Sequence, residues 1–485
     1  MNTITTIPDL INLTPAARRV LDALRAAGGR PLIVGGSVRD ALLSRAQGVK
    51  VDSKDIDIEV YGMTTAQVSA ALPGHVMEVG QHFGIVSATV GGEVFDVSLP
   101  RQESPRQESA RQESRTEAFA RRDFTVNAMG WDEASGEVVD PFGGQRDLAA
   151  GVLRHTSAAF SDDPLRVLRA MQFSGRFGFE LAPETAQLCR ELAPAFGDLP
   201  IARIWGEFYK LASKGTFISK ALQTLFEAGW EEYFPELAAT RGVPQDPKWH
   251  PEGDVNVHLG LAADQAARIA RRDHLGPNET ATAVLAAITH DFGKAISTVI
   301  GANGKITSNG HNVTGVEPAR QFLRRIGAPG RYENKILPLI REHMCHTPEG
   351  PQGTISDSAV RRLLRRLDET SGGPSIQDWA RLVEADKRGR GIGARQGINH
   401  LPTWLEKAER LAKQPAAGTT LLKGAALAEA AVPPGRLWRF VIEQGRDAQD
   451  DGLFSDEEGA AAWFHANRDA VVAEAGRRLE KFEGA

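Results

Sequence analysis

Cysteine is nearly absent from this chain, and long apolar runs are missing altogether. Only Cys189 and Cys345 stand among 485 residues. Two thiols make no disulfide framework and suit a reducing compartment. No apolar stretch is long enough to span a bilayer and no basic-then-apolar leader is visible, so the expectation is a cytoplasmic protein with no membrane partner. An excess of positive charge is lacking too: 57 Lys and Arg stand against 62 Asp and Glu, a formal net charge of −5. The chain as a whole is therefore no polycation that coats nucleic acid. Basic residues do cluster locally, at Arg361-Arg362-Leu363-Leu364-Arg365-Arg366 and at Lys387-Arg388-Gly389-Arg390. Such runs serve RNA contact or a solvated helix face.

A chain of 485 residues leads to an expectation of about three domains. The most informative residues lie early. The apolar run Pro31-Leu32-Ile33-Val34 is followed by Gly35-Gly36-Ser37-Val38-Arg39-Asp40, and then by Asp55-Ile56-Asp57-Ile58-Glu59-Val60. Polar and apolar residues alternate strictly in the last stretch. A strand repeats every two residues, so Asp55, Asp57 and Glu59 share one face. Two carboxylates roughly 7 Å apart along a strand repel unless a cation sits between them. A glycine pair after a strand lets backbone amides approach a phosphate closely. Phosphate cradle and metal carboxylates together are the equipment of nucleotidyl transfer. The alternative, a tight turn before a solvent-facing edge strand, explains either motif alone but not both in this order.

Glu93-Val94-Phe95-Asp96-Val97-Ser98-Leu99 reads as a further strand and offers a third carboxylate, Asp96. Metal ions held by three carboxylates would lower the pKa of an attacking hydroxyl and neutralise a leaving pyrophosphate. Hard oxygen ligands and a phosphate-rich substrate favour Mg²⁺. A strand-end residue capping a turn is the plainer reading of Asp96.

With these residues in place, the chain resembles the class II tRNA nucleotidyltransferases and bacterial poly(A) polymerases. Arg121-Arg122-Asp123-Phe124-Thr125-Val126-Asn127-Ala128-Met129 resembles the family motif for the sugar and triphosphate of the incoming nucleotide. Asp140-Pro141-Phe142-Gly143-Gly144 resembles the turn that follows it. Asp162-Asp163-Pro164-Leu165-Arg166-Val167-Leu168-Arg169 resembles the Glu-Asp-x-x-Arg helix that serves as an amino-acid template for the base, with Asp162 where the family has Glu. The resemblance implies an α+β fold: a head with a mixed sheet of the polymerase-beta-like nucleotidyltransferase kind, then all-helical neck, HD and tail domains. It also implies roles. Asp55 and Asp57 bind Mg²⁺ and Asp96 assists. Gly35, Gly36, Ser37 and Arg39 hold phosphates, and Arg122 holds the triphosphate. Asp123 and Asn127 position the sugar, Asp163 and Arg166 select the base, and Arg169 closes the nucleotide-binding set. The implied substrates are tRNA, CTP and ATP.

The template helix also makes sense from its residues. Pro164 suits a first helical position, and Ser161, Asp162 or Asp163 can cap it. Asp163 and Arg166, three apart, share a helix face. They offer an acceptor and a forked donor, as a base edge does, or they form an ordinary surface ion pair.

The expected domains are a head over 1–153, a helical neck over 154–245, a metal domain over 246–400 and a helical tail over 401–485. Thr14-Pro15 starts a first helix that Gly28-Gly29 ends. Apolar spacing predicts helices over Leu165–Phe177 and Ile201–Leu211. Residues 101–114 repeat Arg-Gln-Glu-Ser three times with Ala110 as the sole apolar residue, which predicts a mobile loop. It falls where the family has a loop that helps the site switch from CTP to ATP, and it reads either as that loop or as a neutral expansion. Leu421-Leu422-Lys423-Gly424 and Val432-Pro433-Pro434-Gly435-Arg436-Leu437 resemble the family's tRNA-holding tail.

A second constellation begins where His290-Asp291 ends the apolar helix Ala283–Thr289. His250 and His258 lie upstream, and His311, His343 and Asp386 downstream. A lone His-Asp pair is most often a satisfied histidine beside a cap. The spacing here resembles the HD phosphohydrolase superfamily, which implies that His258, His290, Asp291 and Asp386 converge on one metal. Imidazole with carboxylate suits Mn, Ni, Fe or Zn. One departure is Gly310-His311-Asn312, where the superfamily often has Gly-His-Glu, so one carboxylate is lost. The function expected overall is template-independent addition or repair of the tRNA 3′ CCA end. The same head chemistry serves CC-only, A-only or poly(A) addition. A metal-dependent phosphohydrolase of 2′,3′-cyclic or 2′-phosphates is the reading from another class.

Overall fold

Thr14 caps the first helix, α1 (Pro15–Ala26), by accepting a hydrogen bond from the Ala17 amide, with Pro15 at its start as expected. The computed structural model describes residues 5–48, 56–79, 84–99, 115–346, 355–391, 393–395, 399–412 and 420–483. Asp55 and the Arg-Gln-Glu-Ser repeat lie outside the described residues. Two compact units divide the chain, Met1–Tyr233 and Phe234–Ala485.

The first unit is built on a mixed sheet. Its strands are β1 (Thr5–Thr6), β2 (Arg30–Val34), β3 (Asp57–Tyr61), β4 (His75–Val79), β5 (Ile85–Val90), β6 (Glu93–Ser98), β7 (Gly130–Trp131) and β8 (Glu137–Val139). Their order is β1-β8-β7-β2-β3-β6-β5-β4. β3 and β6 run parallel, and the other described pairings in this sheet are antiparallel. The β2 run Leu32, Ile33 and Val34 is buried on both faces, with Leu32 and Val34 packed on Phe119 and Ala128. That leaves the end of β2 fixed and aims the turn after it, where α2 (Gly36–Gln47) begins. Two-residue ladders, β9 (Val152–Leu153) with β10 (Glu180–Leu181) and β11 (Val299–Ile300) with β12 (Ile306–Thr307), interrupt the otherwise helical remainder.

Helix α3 spans Leu165–Phe177, as its apolar spacing predicts. Pro164 stands at its N-cap rather than inside it, and the Asp163 carboxylate accepts from the Leu165 amide at 3.2 Å. Helix α4 (Ile201–Lys214) extends one turn past its expected end.

The second unit contains α5 (Val255–Arg272), α6 (Pro277–Thr289), α7 (Gly330–Glu342), α8 (Asp357–Leu367), α9 (Ile376–Gly389) and α10 (Arg436–Asp450). Helices α5 and α9 approach closely because small residues meet there. A Cβ on Gly389 would stand 2.7 Å from the Ala262 amide nitrogen. His258 lies one turn before Ala262 and Asp386 one turn before Gly389, so this close crossing brings the two side chains together. Both basic clusters serve the fold. On α8, Arg362 pairs with Asp451 at 2.8 Å and Arg365 with Asp450 at 2.7 Å and with Asp447. On α9, Arg388 pairs with Glu384 at 2.7 Å, and Arg390, just past its end, pairs with Asp386 at 3.0 Å. Among the described residues, no helix is long and apolar enough to cross a membrane.

Candidate functional site

Gly35 turns the chain from β2 into α2 with φ +74°, a conformation glycine adopts without strain. A Cβ there would also meet Arg122 Nη1 at 2.7 Å. Gly36 opens the 12-residue helix α2, whose first amides point out of the turn and suit an anion. Ser37 is buried in that first turn. Replacing Gly35 by Ala adds roughly 1 kcal/mol of backbone strain and pushes Arg122 aside. We expect a fall in nucleotide addition of about tenfold or more with a small loss of melting temperature, measured by primer extension on tRNA and thermal unfolding. An unchanged rate would detach this turn from the site.

Asp57 begins β3 and stands in register with Asp96 on parallel β6. Neighbouring strands lie about 4.8 Å apart, so the two carboxylates sit side by side on one face, and both residues are exposed. Ser87 Oγ donates to Asp96 Oδ1 at 2.7 Å. A pair of adjacent carboxylates is the hard-oxygen donor set a divalent ion requires, so these residues fit one. Glu59, two residues on along the same strand face, is covered. It is 7% exposed, and Arg122 Nη2 at 3.2 Å and the Tyr61 hydroxyl bond to it. Glu59 thereby holds Arg122 next to Gly35.

Gly35, Gly36 and Asp57 line a cavity of about 460 Å³ together with six arginines: Arg39, Arg122, Arg166, Arg169, Arg176 and Arg203. Three aspartates, Asp57, Asp123 and Asp163, face them. The excess of guanidinium suits a triphosphate. Inside it runs a chain of contacts. Arg39 Nη1 donates to Asn127 Oδ1 at 2.5 Å, and Asn127 Nδ2 donates to Asp123 Oδ1 at 2.9 Å. Arg169 grips Asp123 Oδ2 at 2.6 Å. Burial pushes the Asp123 carboxyl up, but Arg169, Asn127 and the Phe124 amide outweigh it and hold it below the usual range. Arg39 is buried, bonded to Asp40 and stacked over Phe173 and Phe177 at 5.2 and 4.7 Å.

On the template helix, Asp163 pairs with Arg203 at 2.7 Å. Arg166 donates to the carbonyls of Arg121, at 2.6 Å, and Ala159, which fixes its fork. Arg176 and Arg203 were not among the residues singled out from the sequence. Arg166, Arg169, Phe173 and Arg176 recur at helical spacing and form one stripe, a signal that was available. Arg203 comes from α4 and has no local signal.

The second constellation assembles in the helical unit. His258, His290 and Asp386 bring donor atoms within 4.8 Å of one another, and Asp291, His311 and His343 do the same. All six are buried. His258 Nε2, His290 Nε2 and Asp291 Oδ1 lie buried with no hydrogen-bond partner among the described residues. Orphaned, inward-facing donors of this kind fit a metal ion. Burial opposes ionisation of Asp291 and Asp386, yet Lys294 and His290 beside the one, and Arg390 and His258 beside the other, hold both well below the usual carboxylate range. Burial pushes the His343 imidazole down to about 3, so it stays neutral and able to ligate. Glu252 Oε1 accepts from Nδ1 of His250 at 2.9 Å and of His258 at 2.8 Å, and fixes the second ring. The loss of a carboxylate at 312 does not touch the cluster. Asn312 Nδ2 bonds to the Arg341 carbonyl at 2.6 Å, turned to the surface. A cavity of about 310 Å³ opens on the group, with Lys294, Arg390 and Trp249 in its wall.

Fold and site in the first unit are those of a nucleotidyltransferase. Residues 32–154 match the Poly A polymerase head domain, and residues 178–240 match the "Probable RNA and SrmB- binding site of polymerase A". The multifunctional CCA protein of Xanthomonas campestris pv. campestris (strain B100) is 37% identical over 372 residues, 74% of this chain and 85% of that protein. The multifunctional CCA protein of Stenotrophomonas maltophilia (strain K279a) is 35% identical over 416 residues, 82% and 96% of the two chains. The chain belongs to the family of these multifunctional CCA proteins. The solved CCA-adding enzyme of Thermotoga maritima, complexed with tRNA, shares the fold at a TM-score of 0.54 and 20% identity, over 99% of this chain and all of that one (100%). Divalent metal use goes with this family of nucleotidyltransferases.

Proposed function

We infer that the chain is a template-independent tRNA nucleotidyltransferase that adds or repairs the 3′-terminal CCA from CTP and ATP, releasing pyrophosphate. The observation that carries this reading is the cavity where six arginines face the Asp57 carboxylate and the Gly35 turn. Asp55 and Asp57 are assigned to Mg²⁺, with Asp96 beside them. When bound, such ions neutralise charge on the reacting phosphate and the departing pyrophosphate. The protein's own part is placement. The α2 amides at Gly36 and Ser37 and the Arg122 guanidinium hold phosphate oxygens. Asn127 orients the sugar, kept in place by Arg39 on one side and Asp123 on the other. Arg169 anchors Asp123. Asp163 and Arg166 present an acceptor and a fork to the base. We assign the head to 1–153, the neck to 154–245, the metal domain to 246–400 and the tail to 401–485. Cytoplasmic tRNA is the proposed partner.

The direct test is extension of tRNAs lacking A, CA or CCA with each nucleotide offered singly. We expect C to be added to the two shorter ends and A only after both cytidines. Runs of A on every end would replace this reading with poly(A) synthesis. Base choice supplies a sharper check. Asp163→Ala or Arg166→Ala should raise misincorporation of UTP and GTP roughly 5- to 150-fold, since a bidentate base contact is worth roughly 1–3 kcal/mol of discrimination. Affinity for tRNA should change little. Weaker tRNA binding with unchanged selectivity would reduce Asp163 to its surface pair with Arg203.

A second activity is favoured by the buried histidine cluster, which we assign to a divalent transition metal, Mn, Ni, Fe or Zn, and to phosphoester hydrolysis. Its ligands are assigned to His258, His290, Asp291 and Asp386. Lys294 and Arg390, in the wall of the cavity, give it positive charge that suits a phosphate.

A further inference from the structure

We propose that Trp249 is a stacking platform for a nucleobase in the cavity of the helical unit, so that the phosphoester hydrolysed there is carried by a nucleoside. The proposal rests on reading that cavity as a phosphohydrolase site.

The wall of this cavity has two characters. Lys294 and Arg390 bring positive charge, whereas Trp249, Ile306 and Met344 bring apolar surface from three separate parts of the chain. Met344 is 40% exposed, and Trp249 and Ile306 are only partly buried. Inorganic phosphate or a small alkyl ester would use the charged half and leave the apolar half wet. A volume of about 310 Å³ lies at the small end of ligand cavities, which leaves room for one nucleotide. A flat ring system joined through a sugar to a phosphate engages both halves at once.

Trp249 is braced for this task. Its amide and that of His250 both donate to the Asp246 carbonyl, at 3.0 and 2.9 Å, and the Lys248 amide donates to Asp246 Oδ1 at 3.0 Å. The Lys248 carbonyl accepts from the Arg395 amide at 2.9 Å. The Arg395 guanidinium lies over the indole, 4.9 Å from the ring centroid. That cation covers one face of the ring, and the surface left over helps to line the cavity. An indole fixed in this way offers a large π surface with little ordering still to be done on binding. The next residue ties it to the reacting end. His250 Nδ1 lies 2.9 Å from Glu252 Oε1, the oxygen that also fixes His258, and the two imidazoles stand 4.8 Å apart. Trp249 is therefore one residue removed from the histidine cluster. Every base has a π face, so such a platform selects nucleosides without choosing strongly among them.

The test uses the full chain loaded with manganese(II). Three esters are compared: adenosine 2′,3′-cyclic phosphate, an RNA ending in the same group, and the base-free methyl riboside 2′,3′-cyclic phosphate. Trp249→Ala should raise KM for the nucleoside esters roughly 5- to 150-fold, the worth of one base stacked on an aromatic ring, and leave turnover of the base-free ester within about threefold. Trp249→Phe should keep most of the affinity. Turnover of the base-free ester doubles as the check that each variant folds. Binding is read apart from turnover by equilibrium dialysis of adenosine 2′-phosphate against metal-free chain, with excess CTP present to fill the nucleotide cavity of the first unit, and Trp249→Ala should show the same loss. A loss on the RNA alone would assign the platform to an RNA end, and a loss on the free nucleotide alone to mononucleotides. Wild-type chain that binds the base-free ester as tightly as the nucleoside ones, or an equal loss on all three in Trp249→Ala, overturns the proposal and leaves the phosphohydrolase reading intact. Wild-type chain that hydrolyses none of the three overturns both.

Discussion

Asp57→Ala is expected to stop nucleotide addition, with a loss of at least about a thousandfold in single-turnover rate. The residue opens β3 beside Asp96, and the arginine-lined cavity lies on its side of the sheet. A bound divalent ion offers several kcal/mol of charge stabilisation to the reacting phosphate, and each 1.4 kcal/mol is about tenfold in rate. Removing one of the carboxylates that would hold it forfeits that stabilisation. Stability should not suffer. Asp57 is exposed, and the repulsion from Asp96 that its loss relieves offsets the attraction to the cavity arginines that it forfeits. The unfolding midpoint is therefore expected to change little while activity vanishes. Asp57→Asn keeps the shape and removes the charge, so it should be nearly as inactive. Asp55→Ala carries the same expectation from its place in the sequence. A variant that folds normally and adds nucleotides within tenfold of wild type would remove Asp57 from the mechanism.

Local rules made much of this chain legible, and long-range contacts explain the rest. α3 was readable to the residue because its apolar spacing, Asp163 and Gly178 all mark one helix. The strands at β2, β3 and β6 followed from apolar runs and alternation. Alternation puts Glu59 on the face of Asp57 but says nothing of what covers it: Arg122, 63 residues away, and Tyr61 bury and satisfy it. No periodicity reports such a partner. The histidine cluster shows the same division. The resemblance supplied His258, His290, Asp291 and Asp386, and the structure brings them together. His343 joins because α7 ends at the centre with that histidine as its C-cap, as α6 does with His290, and His311 arrives from a separate short helix, His311–Thr314. His290, His311 and His343 each bond Nδ1 to the carbonyl three residues back, which leaves the other ring nitrogen facing the cluster, a contact that only the folded chain shows.

The opposite separation of activities is expected at that centre. His290→Ala and Asp291→Asn should abolish retention of a transition metal and any hydrolysis of phosphomonoesters or 2′,3′-cyclic phosphates, yet leave CTP and ATP addition within about threefold of wild type. The reason is that the two candidate sites draw on different compact units and share no ligand. Asparagine is the better replacement at 291. Asp291 is 2% exposed and paired with Lys294, and removing one partner of a buried ion pair outright costs about 3–5 kcal/mol. The amide keeps the shape and one hydrogen-bond acceptor for Lys294. Folding and metal are linked, because an ion that binds only the folded cluster stabilises it. Chelator should therefore lower the unfolding midpoint of the wild-type helical unit and barely move that of either variant. Elemental analysis, thermal unfolding with and without chelator, and parallel assays of hydrolysis and addition read all of this from one preparation. Wild-type metal content in the His290→Ala chain would deny the cluster its ligand. Collapse of nucleotide addition in a variant that folds normally would show that the two centres do not act independently.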